Sequence, residues 1–220
     1  MRLIAVVIVL FACSGCSLMA SKEPTKAEFD FGPVAAAPTS DASRPAQAYI
    51  VVHDITAPAW MDHSPMYYRL AYQNAANPMP YAQSQWVMSP AALLTERLRS
   101  RFAASTPSEV RTVSAGDPAS YGLRAELFEF EQVFDRPDRS RGVLRLRATL
   151  EGNGVWAQRT FAIEKPAPTA DAPGGVSALT QCSDELAALI VEWVASSQAS
   201  AQEAAHTQAL AGRARATSTQ

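Results

Sequence analysis

The most specific chemistry in this chain of 220 residues belongs to two cysteines near its N terminus. Cys16 follows the small pair Ser14 and Gly15, behind an apolar run from Leu3 to Ala12 that begins just after Arg2. This arrangement resembles a bacterial lipobox. There the thiol takes a diacylglyceryl group, the peptide before it is removed, and the new amine is acylated. The apolar run is shorter than the roughly 20 residues a bilayer span requires, but it suits a secretory leader. Cys13, behind Leu10, Phe11 and Ala12, has the better residue three positions back but leaves a very short hydrophobic region. Cys16 is therefore the favoured lipidation site and Cys13 the alternative. Serine follows either cysteine, in place of the aspartate of inner-membrane retention, so delivery to the outer membrane is expected.

The rest of the chain is poor in reactive constellations. Cys182 lies in an apolar helical pattern and is expected as a small core residue. His53, His63 and His206 are scattered, with no partner at ligand spacing, so neither a metal nor a cofactor is expected. Glu126, Glu129 and Glu131 alternate with apolar residues, which puts them on a strand's solvent face, not in an acid/base set. His53 and Asp54 are adjacent, and neighbours on a strand point to opposite faces, so a shared site is not expected. Gly174-Gly175-Val176-Ser177 lacks the second glycine of a nucleophile elbow. These absences favour a binding or scaffolding role over an enzyme. With 19 basic and 21 acidic residues and no block of like charge, nothing argues for nucleic acid binding.

The elements that must position any binding surface follow from patterning. Hydrophobic content of 48% with 18% charged residues describes one globular domain with polar ends. Residues 1–16 form the leader and 17–46 a polar tether and linker, interrupted by a short aromatic patch at 29–33. Residues 17–28, fully extended, would reach about 40 Å. The domain spans 47–195. Tyr49 to Val52 is a buried strand, and Met66 to Tyr72 a second. A turn-rich stretch from Asn74 to Gln85 precedes Trp86, which suits the core. Ser89-Pro90 starts a helix that buries Leu94, Leu98 and Phe102 and turns Glu96, Arg97 and Arg101 to water. Residues 110–113 form a short strand. The alternation that begins at Leu123 slips by one position near Leu127 and Phe128, which marks a bulge. Leu144 to Leu150 alternates, Asn153-Gly154 turns a hairpin, and Trp156 to Ile163 returns. A last helix carries Leu179, Cys182, Leu186, Ile190 and Trp193 on one face. Residues 196–220, rich in Ala, Ser and Gln, are expected to be a disordered tail. The order implies an α/β single domain, a mixed sheet of about five strands covered by two main helices.

Six aromatic residues, Trp60, Tyr67, Tyr68, Tyr72, Tyr81 and Trp86, crowd into a loop-rich region. Rings there serve either the core or a partner surface, and Trp60 and Tyr68 suit both.

Several segments together resemble the ABC-type transport auxiliary lipoproteins, the PqiC-like group, over residues 29–195. They are Phe29-Asp-Phe-Gly-Pro33, Val51-Val-His-Asp-Ile-Thr-Ala-Pro-Ala-Trp60, Met66-Tyr-Tyr-Arg69, Gln85-Trp-Val-Met-Ser-Pro90, Gly174-Gly-Val-Ser-Ala-Leu179 and Ile190-Val-Glu-Trp193. The resemblance implies a three-layer α/β domain of anticodon-binding-like architecture and supplies no catalytic residue. It further implies an outer-membrane lipoprotein facing the periplasm. Its partners would be an MCE-domain protein and an ABC transporter or permease, in intermembrane lipid transport and envelope integrity. Trp60, Tyr67, Tyr68 and Arg69 are the residues expected to dock the partner, and a ring-shaped partner would suit a homo-oligomer. The alternative is a lipoprotein that carries lipid cargo itself.

Overall fold

The computed structural model describes residues 25–33, 49–105, 120–152 and 154–217. Cys13 and Cys16, the connector expected at 34–46, the strand expected at 110–113 and Asn153 of the hairpin turn lie outside these residues. In chain order the elements are β1 (Ala27–Phe29), β2 (Tyr49–Val52), β3 (Pro65–Leu70), α1 (Ala71–Asn74), β4 (Pro78–Trp86), α2 (Pro90–Ser105), β5 (Ser120–Arg136), β6 (Arg139–Gly152), β7 (Val155–Pro166) and α3 (Ala172–Thr217).

One mixed sheet contains seven strands, two more than expected, in the order β1-β4-β3-β5-β6-β7, with β2 also paired to β5. β5, β6 and β7 form an antiparallel meander, while β2 and β3 both run parallel to β5 along its other edge. The bulge lies where the alternation slips, since the β5–β6 register shifts between Leu127 and Glu129. The hairpin closes with Gly152 opposite Val155 and Gly154 at φ 76°, a conformation open to glycine at no steric cost.

Alternation sends Leu123, Leu127, Leu144, Leu146, Leu150, Phe161 and Ile163 into one buried face. Against it pack Leu94 and Leu98 of α2 and Leu179, Cys182, Leu186, Ile190 and Trp193 of α3. The α/β single-domain class holds. Both long helices join this one core, and no long helix among the described residues covers the opposite face of β5–β7. Trp86 is buried, as expected, with Phe31 and Phe130 at ring-centroid distances of 5.7 and 5.6 Å.

Four local expectations are overturned. The stretch before Trp86 is the nine-residue strand β4, not a series of turns. Its prolines are tolerated because β1 covers the outer edge only at Ser84–Trp86, so Pro78 and Pro80 leave no partner strand there short of a donor. Ala27 and Glu28 belong to β1, not to the tether. Arg97 does not face water: it is 5% exposed, and its Nη2 donates to the carbonyls of Phe31 and Gly32. Last, the helix continues to Thr217 where a structureless tail was expected, giving α3 46 residues. Alanine, glutamine, glutamate and arginine are good helix formers. The hydroxyls of Ser197, Ser200 and Thr207 bond back to carbonyls four residues earlier, so they do not compete for the backbone amides.

Cys182 is buried, and its Sγ faces the carbonyls of Gly142 and Ile163 at 3.6 and 3.8 Å. Loss of hydration pushes its thiol from 9.0 up to about 12. The unfolded thiol ionises near 9 and the folded one near 12, so this stabilisation is complete below the first value and fades as pH rises to the second. Tyr81, raised by burial and by Tyr68 and Asp171, acts in the same direction above its ordinary 10.0. Unfolding free energy should therefore fall across this window, with Cys182 contributing up to about 1.4 kcal/mol per pH unit. Urea titrations of Cys182→Ala should show a flatter dependence, and an unchanged slope would contradict the assignment.

Candidate functional site

The four residues expected at a partner surface sit on β3 and the loop before it, and the structure divides them. Between the Thr56–Glu126 bridge and the Tyr68–Gln132 pair, the chain uses 12 residues (68 − 56) while β5 advances 6 (132 − 126). The surplus is thrown outward as a loop. Met61 is inserted into the core from it, and Trp60 is left 43% exposed. Trp60 stands edge-on to Tyr67, with ring centroids 5.4 Å apart at 83°.

Strand alternation separates Tyr67 and Arg69 from Tyr68. Arg69 Nε and Nη2 lie 2.8 Å from Glu131 Oε1, and Nη1 donates to the Ala75 carbonyl. Glu131 is consequently buried and paired, not solvent-facing as the alternation suggested. Tyr68 points to the helical side, against Tyr81 at 4.6 Å and Phe134 at 5.9 Å. There Tyr81 donates to Gln132 Oε1, and Gln132 Nε2 donates to Ser140, both at 2.8 Å. This buried network abuts the first turn of α3, where a Cβ on Gly175 would lie 2.0 Å from Gln132 Oε1. Asp171 caps that turn, accepting from the Gly174 amide and the Thr169 hydroxyl. These two bonds, the hydroxyl's first, hold its carboxyl below the usual range.

The remaining glutamates face the uncovered side of the sheet in cross-strand pairs: Glu126 with Arg147 at 2.5 Å and Glu129 with Arg145 at 3.5 Å. Neither offers a free carboxylate for acid/base work. His53 and Asp54 do line one depression, contrary to the expectation from alternation, because β2 ends at Val52 and the backbone leaves its pleat. Asp54 is bound to Arg99 at 2.8 Å, so the pair is not a dyad. This depression and the exposed Trp156 beside it are not among the sites expected from the sequence. The available signal was Trp156 alternating in phase with Gln158 and Thr160.

Among the described residues no helix is long and apolar enough to cross a membrane. A family model described as the ABC-type transport auxiliary lipoprotein component matches residues 29–191. No curated protein matches the chain significantly. The fold is similar to that of a Xanthomonas campestris protein assigned to DUF330, with TM-score 0.65 and 16% identity, covering 80% of this chain and 99% of the other. An uncharacterized protein is also similar, with TM-score 0.57 and 15% identity, covering 77% of this chain and 99% of the other. At these identities the two structures speak to the fold alone.

Proposed function

This chain belongs to the ABC-type transport auxiliary lipoprotein component family, and from that premise we propose that it is a non-enzymatic adaptor. Acylated at Cys16 (or at Cys13), it sits on the periplasmic side of the outer membrane. There it docks an MCE-domain protein that works with an ABC transporter or permease in lipid transport. Several acyl chains, each contributing about 0.8 kcal/mol per buried methylene, make such anchoring close to permanent.

The observation that carries the docking role is the Trp60–Tyr67 pair. A large ring is held 43% exposed by its loop and braced edge-on by a second ring. Aromatic side chains presented this way lose little conformational entropy on binding and are enriched among residues that dominate interfaces. Tyr68 and Arg69 enter as supports: Tyr68 packs inward, and Arg69 is tied to Glu131 beneath the pair.

Two measurements test the proposal. Labelling with a palmitate analogue should tag the full chain and not the Cys13→Ser/Cys16→Ser double variant. In binding assays with a periplasmic MCE-domain protein of the same organism, Trp60→Ala and Tyr67→Ala should each weaken the complex by at least about tenfold, near 1.4 kcal/mol. Undiminished binding by both would remove this surface from the interface, and an untagged wild type would remove the anchor.

A further inference from the structure

We infer that the uncovered face of β5–β7 is a saccharide-binding site, with Trp156 as the stacking platform and the depression beside it as the polar subsite, taking an uncharged sugar chain. Trp156 is 70% exposed, the most exposed of the large apolar residues among those described. It stands in register with Glu151, and Glu151 binds Arg124 at 2.7 Å. Arg124 lines the depression together with His53, Glu126, Arg147, Thr149 and Gln158. Gln158 is two positions from Trp156 on the same strand face, about 7 Å along the strand. Ring and depression therefore form one continuous surface across three strands.

The class of ligand follows from charge and shape. Each ionised group around the depression already has a partner within the protein: Arg147 with Glu126 at 2.5 Å, Arg124 with Glu151 at 2.7 Å and Asp54 with Arg99 at 2.8 Å. With two carboxylates, Asp54 and Glu126, against two guanidinium groups, Arg124 and Arg147, the lining has no charge excess to favour an anion or a cation. The pairs leave guanidinium N–H donors and carboxylate lone pairs unused, since each group has more of them than one ion pair consumes. Gln158, bonded to Thr149 at 3.1 Å, adds an amide oriented in the same way. Charge-balanced donors and acceptors are complementary to hydroxyl groups, which both donate and accept. The volume of about 230 Å³ and a lining of mixed polar and apolar surface suit a sugar ring better than an acyl chain. The apolar C–H face of a pyranose carries partial positive charge, and it is attracted to the negative face of an indole. The site is independent of the docking surface proposed above, which uses Trp60 and Tyr67.

The test uses the full-length, ¹⁵N-labelled protein in detergent, with the Trp156 indole signal assigned through Trp156→Phe. Chitotetraose and maltotetraose are the neutral probes and inorganic phosphate the anionic one. At least one tetrasaccharide should shift the Trp156 indole saturably, and Trp156→Ala should bind it at least about tenfold more weakly. Trp60→Ala should bind it unchanged. An unaltered thermal unfolding curve for Trp156→Ala would show that the loss is local. Absence of a saturable shift with both sugars would overturn the inference. So would equal binding by Trp156→Ala, or displacement of the Arg124 and Arg147 side-chain signals by phosphate alone.

Discussion

Replacing Arg97 with alanine should lower the unfolding free energy by about 3 kcal/mol, whereas Asp184→Asn should cost under about 1 kcal/mol. The contrast follows from where each partner sits. Arg97 is 5% exposed on α2, and its Nη2 bonds the carbonyls of Phe31 and Gly32. Its guanidinium also lies 5.6 Å from the centre of the Phe31 ring. Alanine would strand the buried Phe31 carbonyl oxygen, take a donor from the part-buried Gly32 carbonyl and remove the aliphatic stem of Arg97. Arg97 Nη1 is 3.3 Å from Asp184 Oδ1, close enough for an ion pair but without hydrogen-bond geometry. Asp184 keeps 42% of its side chain exposed, so losing that contact returns it to water at little cost. For a domain of this size, about 3 kcal/mol corresponds to a fall of roughly 6–12 °C in Tm. Calorimetry on both variants checks the prediction, and equal losses would place the energy in the ion pair instead. Arg97 fastens the segment carrying β1 to the helical layer. Its loss should therefore also raise protease cleavage ahead of Gly32 while leaving the docking affinity unchanged.

Gly174→Ala should destabilise the fold by about 2–3 kcal/mol, although alanine is the better helix former. A Cβ at this position would lie 2.0 Å from the Thr169 carbonyl oxygen and 2.8 Å from its carbon. Both are backbone atoms of the turn that leads into α3, so neither can swing aside as a side-chain tip would. Relief would require the turn to move, and that turn supplies the Asp171 cap and the Thr169 hydroxyl that binds it. The gain of up to about 1 kcal/mol in helix propensity offsets only part of the strain. Urea unfolding measures the difference, and a stabilised Gly174→Ala would mean that the turn yields freely. Gly175→Ala should also destabilise, because its Cβ would press on the buried Gln132 that holds Tyr81 and Ser140.

Features set by local periodicity were legible along the chain. The stripe from Leu179 to Trp193, the slip at Leu127–Phe128 and the Asn153-Gly154 hairpin depend on residues a few positions apart. Each element therefore carried its own evidence. Trp86 belonged to the core by the same logic, as a large ring between a strand and a helix start. The helical course of residues 196–217 is not legible from packing, because an alanine-rich, stripe-free segment reads as disordered by that criterion. Helix propensity was the better guide there.

The small residues and apolar run ahead of Cys13 and Cys16 and the two-residue period of β5 to β7 are properties of the sequence by itself, because each depends only on residue type and spacing. The tertiary structure decided which polar groups were to be buried. Arg97 lies on a helix face that looks solvated until Phe31 and Gly32, just after β1, are laid against it, and Glu131 looks solvated until Arg69 arrives from 62 residues away. Tertiary structure also turned a proline-containing stretch into β4, divided Tyr68 from Tyr67, and gathered the depression beside Trp156 from strands distant in sequence. In each case the deciding partner comes from another element. Desolvation and pairing are properties of the assembled surface, and a single segment holds no record of them.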